Sequence, residues 1–161
     1  MQLLEGLRVR ARDRLILEAM YASWAAKDLD AVLSCCSDDI VFVIHVPPEV
    51  MPFAGETRGK AALVPRLRMI LDNFDFLEYR PTFISDEGEE FHSQVHYHFR
   101  HKATQHDIEG TMRHVWRVKD DKIVRLEEFH DTPRVRAFFE LLAESASGKP
   151  ERTFPNIKRN K

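Results

Sequence analysis

Apolar side chains recur at helical spacing near the start of the chain. Residues 12 to 26 contain no glycine or proline, and their main apolar positions are Ile16, Leu17, Met20, Tyr21 and Trp24. This spacing predicts an amphipathic helix. An Asp side chain can accept a hydrogen bond from the open amides of a first helical turn, so Asp28 or Asp30 is expected to cap a short second helix that runs through Leu33.

Runs rich in β-branched and aromatic residues predict strands further along the chain. The first run covers residues 40 to 46 and stops at Pro47, which has no N–H to donate to a sheet. A turn is indicated at residues 86 to 88, and a tight polar turn at Asp120 and Asp121. The remaining predicted strands cover residues 79–85, 90–102, 107–118 and 122–129.

Two later segments have helical patterns. Residues 60 to 74 carry leucine and isoleucine at helical spacing, with Pro65 in a first turn or at a kink. Thr132 and Pro133 provide an N-cap followed by a proline at the first helical position. The helix that they open has one apolar stripe, formed by Val135, Phe138, Phe139 and Leu142.

The order of these elements predicts an α+β fold, in which helices cover one face of a bent sheet. The chain has 161 residues, the size of one ordinary domain. We expect that domain over residues 1–145 and a loosely ordered tail over residues 146–161, where Ser, Gly, Lys and Pro are frequent.

Composition excludes several classes of protein. With 43% apolar and 31% charged residues and a net charge of -2, the chain resembles a soluble globular protein and lacks the basic excess of a nucleic-acid-binding domain. It has neither an apolar run that could span a membrane nor a signal-peptide core, so we expect a cytoplasmic protein. The adjacent Cys35 and Cys36 cannot join distant segments and are expected to be free thiols.

Two short motifs, in this order of elements, carry a resemblance to a known family. The loop from Phe53 to Gly59 has a Gly-x-x-x-Gly pattern, and the turn Asp120-Asp121-Lys122-Ile123 leads into a strand that ends near Asp131. From about residue 12 to residue 132 the chain resembles SnoaL-like and ketosteroid-isomerase-like proteins of the nuclear transport factor 2 superfamily. The resemblance implies a cone-shaped, strongly curved mixed or antiparallel sheet packed on N-terminal helices, a cystatin-like roll, with an extra C-terminal helix.

The resemblance also implies a pocket and a mode of association. Relatives include isomerases, epoxide hydrolases, polyketide cyclases and proteins without chemistry, so the fold alone does not fix an activity. Many relatives pair through the outer face of the sheet. A homodimer formed through the face that carries His92 to Arg100 is therefore expected.

His45 and Asp131 are the first candidates for chemistry. His45 ends the first predicted strand, where limonene epoxide hydrolase has a water-holding Asn, and an imidazole can act as acid or base near neutral pH. Asp131 matches the carboxylate that acts as acid/base in SnoaL-like cyclases. We hypothesise that both face one cavity, with His114 as a further polar contact. The alternatives are a structural histidine at a strand end and an Asp that only favours the start of a helix.

Aromatic residues provide the expected walls of this cavity. Met112, His114 and Trp116 share one face of their strand because strand side chains alternate, and Val95, Tyr97 and Phe99 share one face of theirs. An apolar pocket with few polar groups is typical of a small-molecule site, although the same pattern also forms an ordinary core. The predicted substrate-contacting set is Tyr21, Trp24, Phe53, Tyr97, Phe99, Trp116 and Phe129.

A metal site is not favoured. His96 and His98 lie on the opposite face of their strand and form a possible metal pair with His114 or Glu109, but a solvated or dimer-facing strand explains them equally well. The sequence contains no phosphate-binding glycine loop, no Gly-x-Ser-x-Gly elbow and no His-Glu-x-x-His motif. No cofactor is therefore expected.

The sequence thus predicts a protein that binds a small, largely apolar organic molecule in its cavity. If it is an enzyme, we expect cofactor-free acid/base chemistry, either an isomerisation next to a carbonyl or an aldol-type ring closure. A non-catalytic, dimeric binding or association module is the alternative, and a His-x-His metal protein is a third, less favoured one.

Overall fold

A computed structural model describes residues 1–86 and 88–148. Its elements run in the order α1 (Gln2–Ala25), α2 (Leu29–Ser34), β1 (Cys36–His45), β2 (Gly55–Arg58), α3 (Lys60–Asn73), β3 (Phe74–Ser85), β4 (Phe91–His101), β5 (Asp107–Lys119), β6 (Lys122–Phe129) and α4 (Thr132–Ala146). The α+β fold predicted from the sequence is confirmed. The predicted tail, residues 146–161, lies outside the described residues apart from its first three positions.

The six strands form one curved, unclosed sheet in the order β2-β1-β6-β5-β4-β3. The pair β1 and β6 is parallel, and all the other neighbours are antiparallel. The closing strand β6 therefore lies in the middle of the sheet. Its neighbours β1 and β5 cover both of its edges, so side chains on its inner face point into the centre of the fold.

The inner face of the sheet is covered by helices. Leu17, Met20 and Tyr21 are the buried residues of α1, and Leu63 and Leu67 are those of α3. Arg66 in α3 donates hydrogen bonds to the carbonyls of Phe53 and Ala54, which fixes the loop before β2 over the same face. No helix of the described residues is long and apolar enough to cross a membrane.

Local signals explain most of the element ends. The Asp28 side chain accepts a hydrogen bond from the Ala31 amide at 3.0 Å and caps α2, which selects Asp28 over Asp30. Asp120 and Asp121 both have positive φ, 50° and 60°, as a two-residue hairpin turn of type I′ requires, and Asp tolerates this conformation better than most residues.

Three boundaries differ from the prediction. Helix α1 begins ten residues before residue 12, at Gln2, and its first turns are exposed although Leu3, Leu4 and Leu7 recur there at helical spacing. Strand β3 begins at Phe74, where the sequence predicted the end of a helix. Strand β2 lies in a segment predicted to contain only turns, since four residues at a sheet edge give little periodic signal.

Candidate functional site

A cavity of about 120 Å³ lies between the inner face of the sheet and the helices. Most of its lining is apolar, with Met20 and Trp24 from α1 and Leu63 and Leu67 from α3. Helix α4 closes another side with Val135, Phe138 and Phe139. Against this apolar lining, three ionisable side chains stand together on the sheet: His114, Glu128 and His130.

Glu128 is the centre of this polar group. Only 14% of its side chain is exposed, and its two carboxylate oxygens are hydrogen-bonded to different imidazoles. His114 Nε2 lies 3.0 Å from Glu128 Oε2, and His130 Nε2 contacts Oε1. His114 and Glu128 are direct partners across the β5–β6 ladder, so the backbone register itself sets their approach.

Two opposing effects act on the pKa of Glu128. Burial alone raises it, because an anion loses its hydration. When the imidazoles are protonated, the charge of His130, the hydrogen bonds from both rings and the charge of His114 outweigh burial, and the pKa of Glu128 falls well below its usual value. The site therefore holds an ionised carboxylate inside an apolar cavity at neutral pH.

His114 is held from behind by a buried hydrogen-bond network. Its Nδ1 lies 2.7 Å from the hydroxyl oxygen of Tyr21, which lies 2.7 Å from Ser93 Oγ. The indole N–H of Trp116 donates to both hydroxyl oxygens, at 3.1 Å and 3.0 Å. These four residues come from α1, β4 and β5, so the network joins the first helix to the centre of the sheet.

His130 has a free ring nitrogen. Its side chain is only 9% exposed, and its Nδ1 has no hydrogen-bond partner among the described residues. The ring lies against the edge of Tyr97, with centroids 6.2 Å apart. An unpartnered polar atom inside an apolar site is costly unless a ligand or water engages it. Within the polar group, His130 Nδ1 is thus the one ring nitrogen without a hydrogen-bond partner among the described residues.

Comparison with known proteins shows which family the chain belongs to. The model of the SnoaL-like domain matches residues 17–126, more than half of the chain. The chain belongs to the SnoaL-like family. The matched range includes strands β4 and β5, which line the SnoaL-like cavity, but ends two residues before Glu128. The search of curated proteins found no match.

Solved structures share the SnoaL-like fold at low sequence identity. An NTF2-like protein of unknown function from Burkholderia pseudomallei has a TM-score of 0.71 at 17% identity, covering 80% of this chain and 97% of its own. A proposed isomerase from Bacillus subtilis has a TM-score of 0.70 at 16% identity, covering 81% and 94%. A proposed polyketide cyclase from Xanthomonas campestris has a TM-score of 0.62 at 17% identity, covering 78% and 98%. These similarities establish the fold.

A β-bulge decides which residues of β6 face the SnoaL-like cavity. The two-residue turn pairs Val118 with Ile123, but beyond the bulge Arg117 pairs with Arg125 and His114 with Glu128. Without the extra residue, His114 would lie opposite Glu127. A shift of one residue exchanges the two faces of a strand, so the bulge turns Leu126, Glu128 and His130 inward.

Phe129 and Asp131 were predicted to face the cavity. Because of the bulge, neither of them lines it. Phe129 lies on the outer face, stacked on the His45 ring with centroids 4.3 Å apart and covered by Arg113. Asp131 is 55% exposed and accepts a hydrogen bond from the Arg134 amide as the N-cap of α4. Of the two interpretations of Asp131, the structure supports the helix-capping one.

His45 also lies outside the cavity. The inner positions of β1 are Ile40 and Phe42, which line the cavity, and Ile44, which is buried. His45 therefore falls on the opposite face, 39% exposed, with Nε2 2.9 Å from Glu127 Oε1. The hypothesis that His45 and Asp131 share one cavity is wrong. Both alternating sets of β1 side chains are mostly apolar, so hydrophobicity alone does not indicate which face of the strand is the inner one.

The other predicted wall residues lie where the face assignments put them. Trp24, Phe53, Tyr97, Phe99, His114 and Trp116 line the cavity. Tyr21 is buried behind His114 and does not line it. Glu128 and His130 were not predicted as site residues. Their inward orientation depends on the bulge, for which the sequence of β6 shows no glycine or proline signal.

One group on the outer face meets the distance criteria for metal ligands within the described residues. Glu78, His96 and Glu109 place one donor atom each within 4.8 Å of one another. Glu78 is also paired with the Arg80 guanidinium, whose charge opposes a cation there. His98, the predicted partner of His96, instead lies 2.8 Å from Asp107, which also pairs with Arg100. These contacts form an ion-pair network on the sheet surface.

The assignment of Asp131 as a helix cap can be tested by substitution. We expect Asp131→Ala to lower the free energy of unfolding by about 1 kcal/mol, because it removes the N-cap acceptor. Asp131→Asn is expected to leave stability nearly unchanged, since an Asn oxygen caps equally well. Urea denaturation of the three proteins measures the difference. Equal losses in both variants would show that the negative charge, and not the cap, is what matters at this position.

Proposed function

We propose that the cavity binds a small, largely apolar organic molecule and that His130, held by the Glu128 carboxylate, moves a proton on it without a cofactor. The observation that carries this proposal is the buried Glu128 carboxylate hydrogen-bonded to an imidazole whose other nitrogen has no partner among the described residues. The isomerases and cyclases among the structural neighbours are consistent with such chemistry.

The arrangement of Glu128 and His130 favours His130 as a general base. A carboxylate that accepts one N–H of an imidazole fixes the tautomer and stabilises the imidazolium that forms when the other nitrogen takes a proton. Because an ionised carboxylate only accepts, His130 donates its Nε2–H to Glu128, and in the neutral ring Nδ1 then carries the lone pair. A general base of this kind typically contributes on the order of 10²–10⁴-fold to a rate.

Carbon acids next to a carbonyl fit this geometry. In a β,γ-unsaturated carbonyl compound, His130 Nδ1 takes the proton from the carbon between the carbonyl and the C=C bond, and the electron pair moves into the carbonyl to form a dienolate. The imidazolium returns the proton at the γ-carbon, so that the C=C bond moves next to the carbonyl. The product is an isomer. If the enolate carbon instead attacks a second carbonyl of the same molecule, the imidazolium protonates the new alkoxide, which is an aldol-type ring closure. Neither route consumes a cofactor.

Tyr97 can stabilise the negative oxygen of such an enolate. Its side chain lines the cavity beside His130. Burial raises the pKa of Tyr97 to about 12, with a further contribution from the Glu128 charge, so the phenol remains a proton donor at neutral pH. A fixed donor in a water-poor site is how enzymes stabilise a developing oxyanion.

The size of the cavity favours a small substrate. Its volume of about 120 Å³ is of the same order as the ~150 Å³ engineered apolar cavity that holds benzene. A compound whose apolar body is one ring, with a carbonyl directed at Tyr97 and His130, therefore suits the space.

Proton exchange in deuterated water tests the proposal without knowledge of the natural substrate. Small cyclic ketones and enones serve as probes, and NMR follows loss of the proton next to the carbonyl. The wild type is expected to accelerate exchange for at least one probe, and His130→Gln to lower that acceleration by about 10²–10⁴-fold. Glu128→Gln should also lower it, because the imidazolium loses its counter-ion.

His45→Asn is the matched control, since it removes an imidazole from the outer face of the same sheet. It is expected to leave the exchange rate near that of the wild type. Equal rates for the wild type and His130→Gln, with a loss in His45→Asn instead, would refute the assignment of His130 as the base.

We also propose that two copies associate through the outer face of β4. This face carries His92, His96 and His98, each about one third exposed, while the cavity and its helices lie on the inner side. This association is compatible with catalysis in the cavity. If the protein formed the dimer but bound no ligand, it would be a non-catalytic association module.

Light scattering tests the association. The wild type is expected to have twice the chain mass of 18.8 kDa, and Gln94→Arg to dissociate it, because Gln94 is exposed in the middle of that face and an added charge there would have to be desolvated. Glu144→Arg, an exposed change on α4, is the control and should not alter the mass. A wild type with the mass of one chain at all concentrations would contradict the proposal.

A further inference from the structure

We infer that Trp116, Ser93 and Tyr21 hold His114 in one tautomer, as a fixed N–H donor to Glu128. His114 is then a positioning residue, and it carries no proton to or from a bound molecule. This role rests on the proposed function of His130 and Glu128, but the tautomer itself does not.

The donor-to-acceptor direction of the hydrogen bonds in this network is determined by Trp116. An indole N–H is a donor only, so the Trp116 ring nitrogen cannot accept from either neighbour. It lies 3.0 Å from Ser93 Oγ and 3.1 Å from the hydroxyl oxygen of Tyr21. The two hydroxyl hydrogens must therefore point away from the indole.

The Ser93 hydroxyl has one acceptor. Ser93 is fully buried, and within the described residues its side chain bonds only to Tyr21 and Trp116. Since Trp116 only donates, the Ser93 hydrogen goes to the Tyr21 oxygen at 2.7 Å. The Tyr21 hydroxyl then donates its own hydrogen to its remaining neighbour, His114 Nδ1, also at 2.7 Å.

This direction fixes the proton of His114. Because Nδ1 accepts from Tyr21, the ring proton is on Nε2, which donates to Glu128 Oε2 at 3.0 Å. In this direction no hydrogen of the network is left without an acceptor. In the reverse direction Nδ1 would donate to Tyr21 and Tyr21 to Ser93, and the Ser93 hydrogen would be buried with no acceptor, which is unfavourable.

The surroundings of Tyr21 are consistent with this direction. Its ring is buried between His114 and Trp116 and is stacked on the His114 ring at 5.8 Å. Burial is the largest influence on the pKa of Tyr21 and raises it well above the usual value. The phenol therefore keeps the hydrogen that it donates to His114.

The fixed tautomer gives the two histidines different roles: His114 positions Glu128, and His130 is left to move the proton. Both nitrogens of His114 are engaged, so it cannot exchange a proton with a ligand unless the network breaks. It saturates one oxygen of Glu128 and turns the other toward His130. The Nδ1 of His130 is then the only ring nitrogen of this pair without a hydrogen-bond partner among the described residues.

NMR of protein with ¹⁵N-labelled histidine tests the inference directly. Correlations between ring carbon-bound protons and ring nitrogens distinguish protonated from bare nitrogens, and the missing signals of His114→Asn assign the residue. The wild type without ligand is expected to show His114 at neutral pH with a bare Nδ1 and a protonated Nε2. A protonated Nδ1 in the wild type, alone or together with Nε2, would overturn the inference.

Two variants separate the network from simple packing. Tyr21→Phe keeps the ring but removes the donor to Nδ1. Because Glu128 still accepts from Nε2, we expect Nδ1 to become protonated as well, so that His114 no longer shows one bare nitrogen. Ser93→Ala leaves the Tyr21 hydroxyl able to donate, so the wild-type tautomer should persist. If both variants retained the wild-type signals, the network would have no orienting role. The wild-type spectrum decides the tautomer even if a variant fails to fold.

These spectra are recorded without a substrate, so they remain informative if the proton-exchange assay fails. In that assay Tyr21→Phe should reduce kcat by a smaller factor than His130→Gln does, with KM nearly unchanged. A loss in Tyr21→Phe as large as that in His130→Gln would place Tyr21 and His114 in the proton transfer itself and refute the positioning role.

Discussion

The hydrogen bonds between Glu128 and two imidazoles are the interaction on which the rest of the site depends. A carboxylate removed from water is strongly destabilising unless it is paired and its oxygens are satisfied. His114 and His130 each satisfy one oxygen. With one imidazole missing, the remaining charge would be poorly compensated, so these three side chains act as a unit. That unit gives an otherwise apolar cavity its chemistry.

The backbone builds this unit through the bulge in β6. The tight turn at Asp120 and Asp121 starts one register, and the bulge changes it by one residue before the strand reaches the cavity. Glu128 thereby faces His114, and His130 follows on the same face. Glu127 is directed outward, where it pairs with His45 and Arg125. The one extra residue of the bulge thus places Glu128 in the cavity and Glu127 among the ion pairs of the outer face.

Much of the fold could be predicted from the sequence because its signals are local. The helix start at Thr132 and Pro133, the Asp120-Asp121 turn and the alternation in β4 and β5 each depend on a few neighbouring residues. The cap of that helix is Asp131, however, and not the predicted Thr132. The cavity walls at Tyr97, Phe99, His114 and Trp116 followed from that alternation. The polar centre could not be predicted in the same way, because a bulge interrupts the alternation of β6. His45 and Asp131 were selected by resemblance to relatives, and the structure places both outside the cavity.

Difference infrared spectroscopy tests the ionised carboxylate most directly. The spectrum of wild type minus Glu128→Gln isolates the absorption of this one side chain. We expect the antisymmetric stretch of an ionised carboxylate at neutral pH, and we expect it to persist when the pH falls below the ordinary value of 4.5, since His130 and His114 lower the pKa of Glu128 in spite of its burial. The carbonyl stretch of a protonated acid at neutral pH would contradict the account.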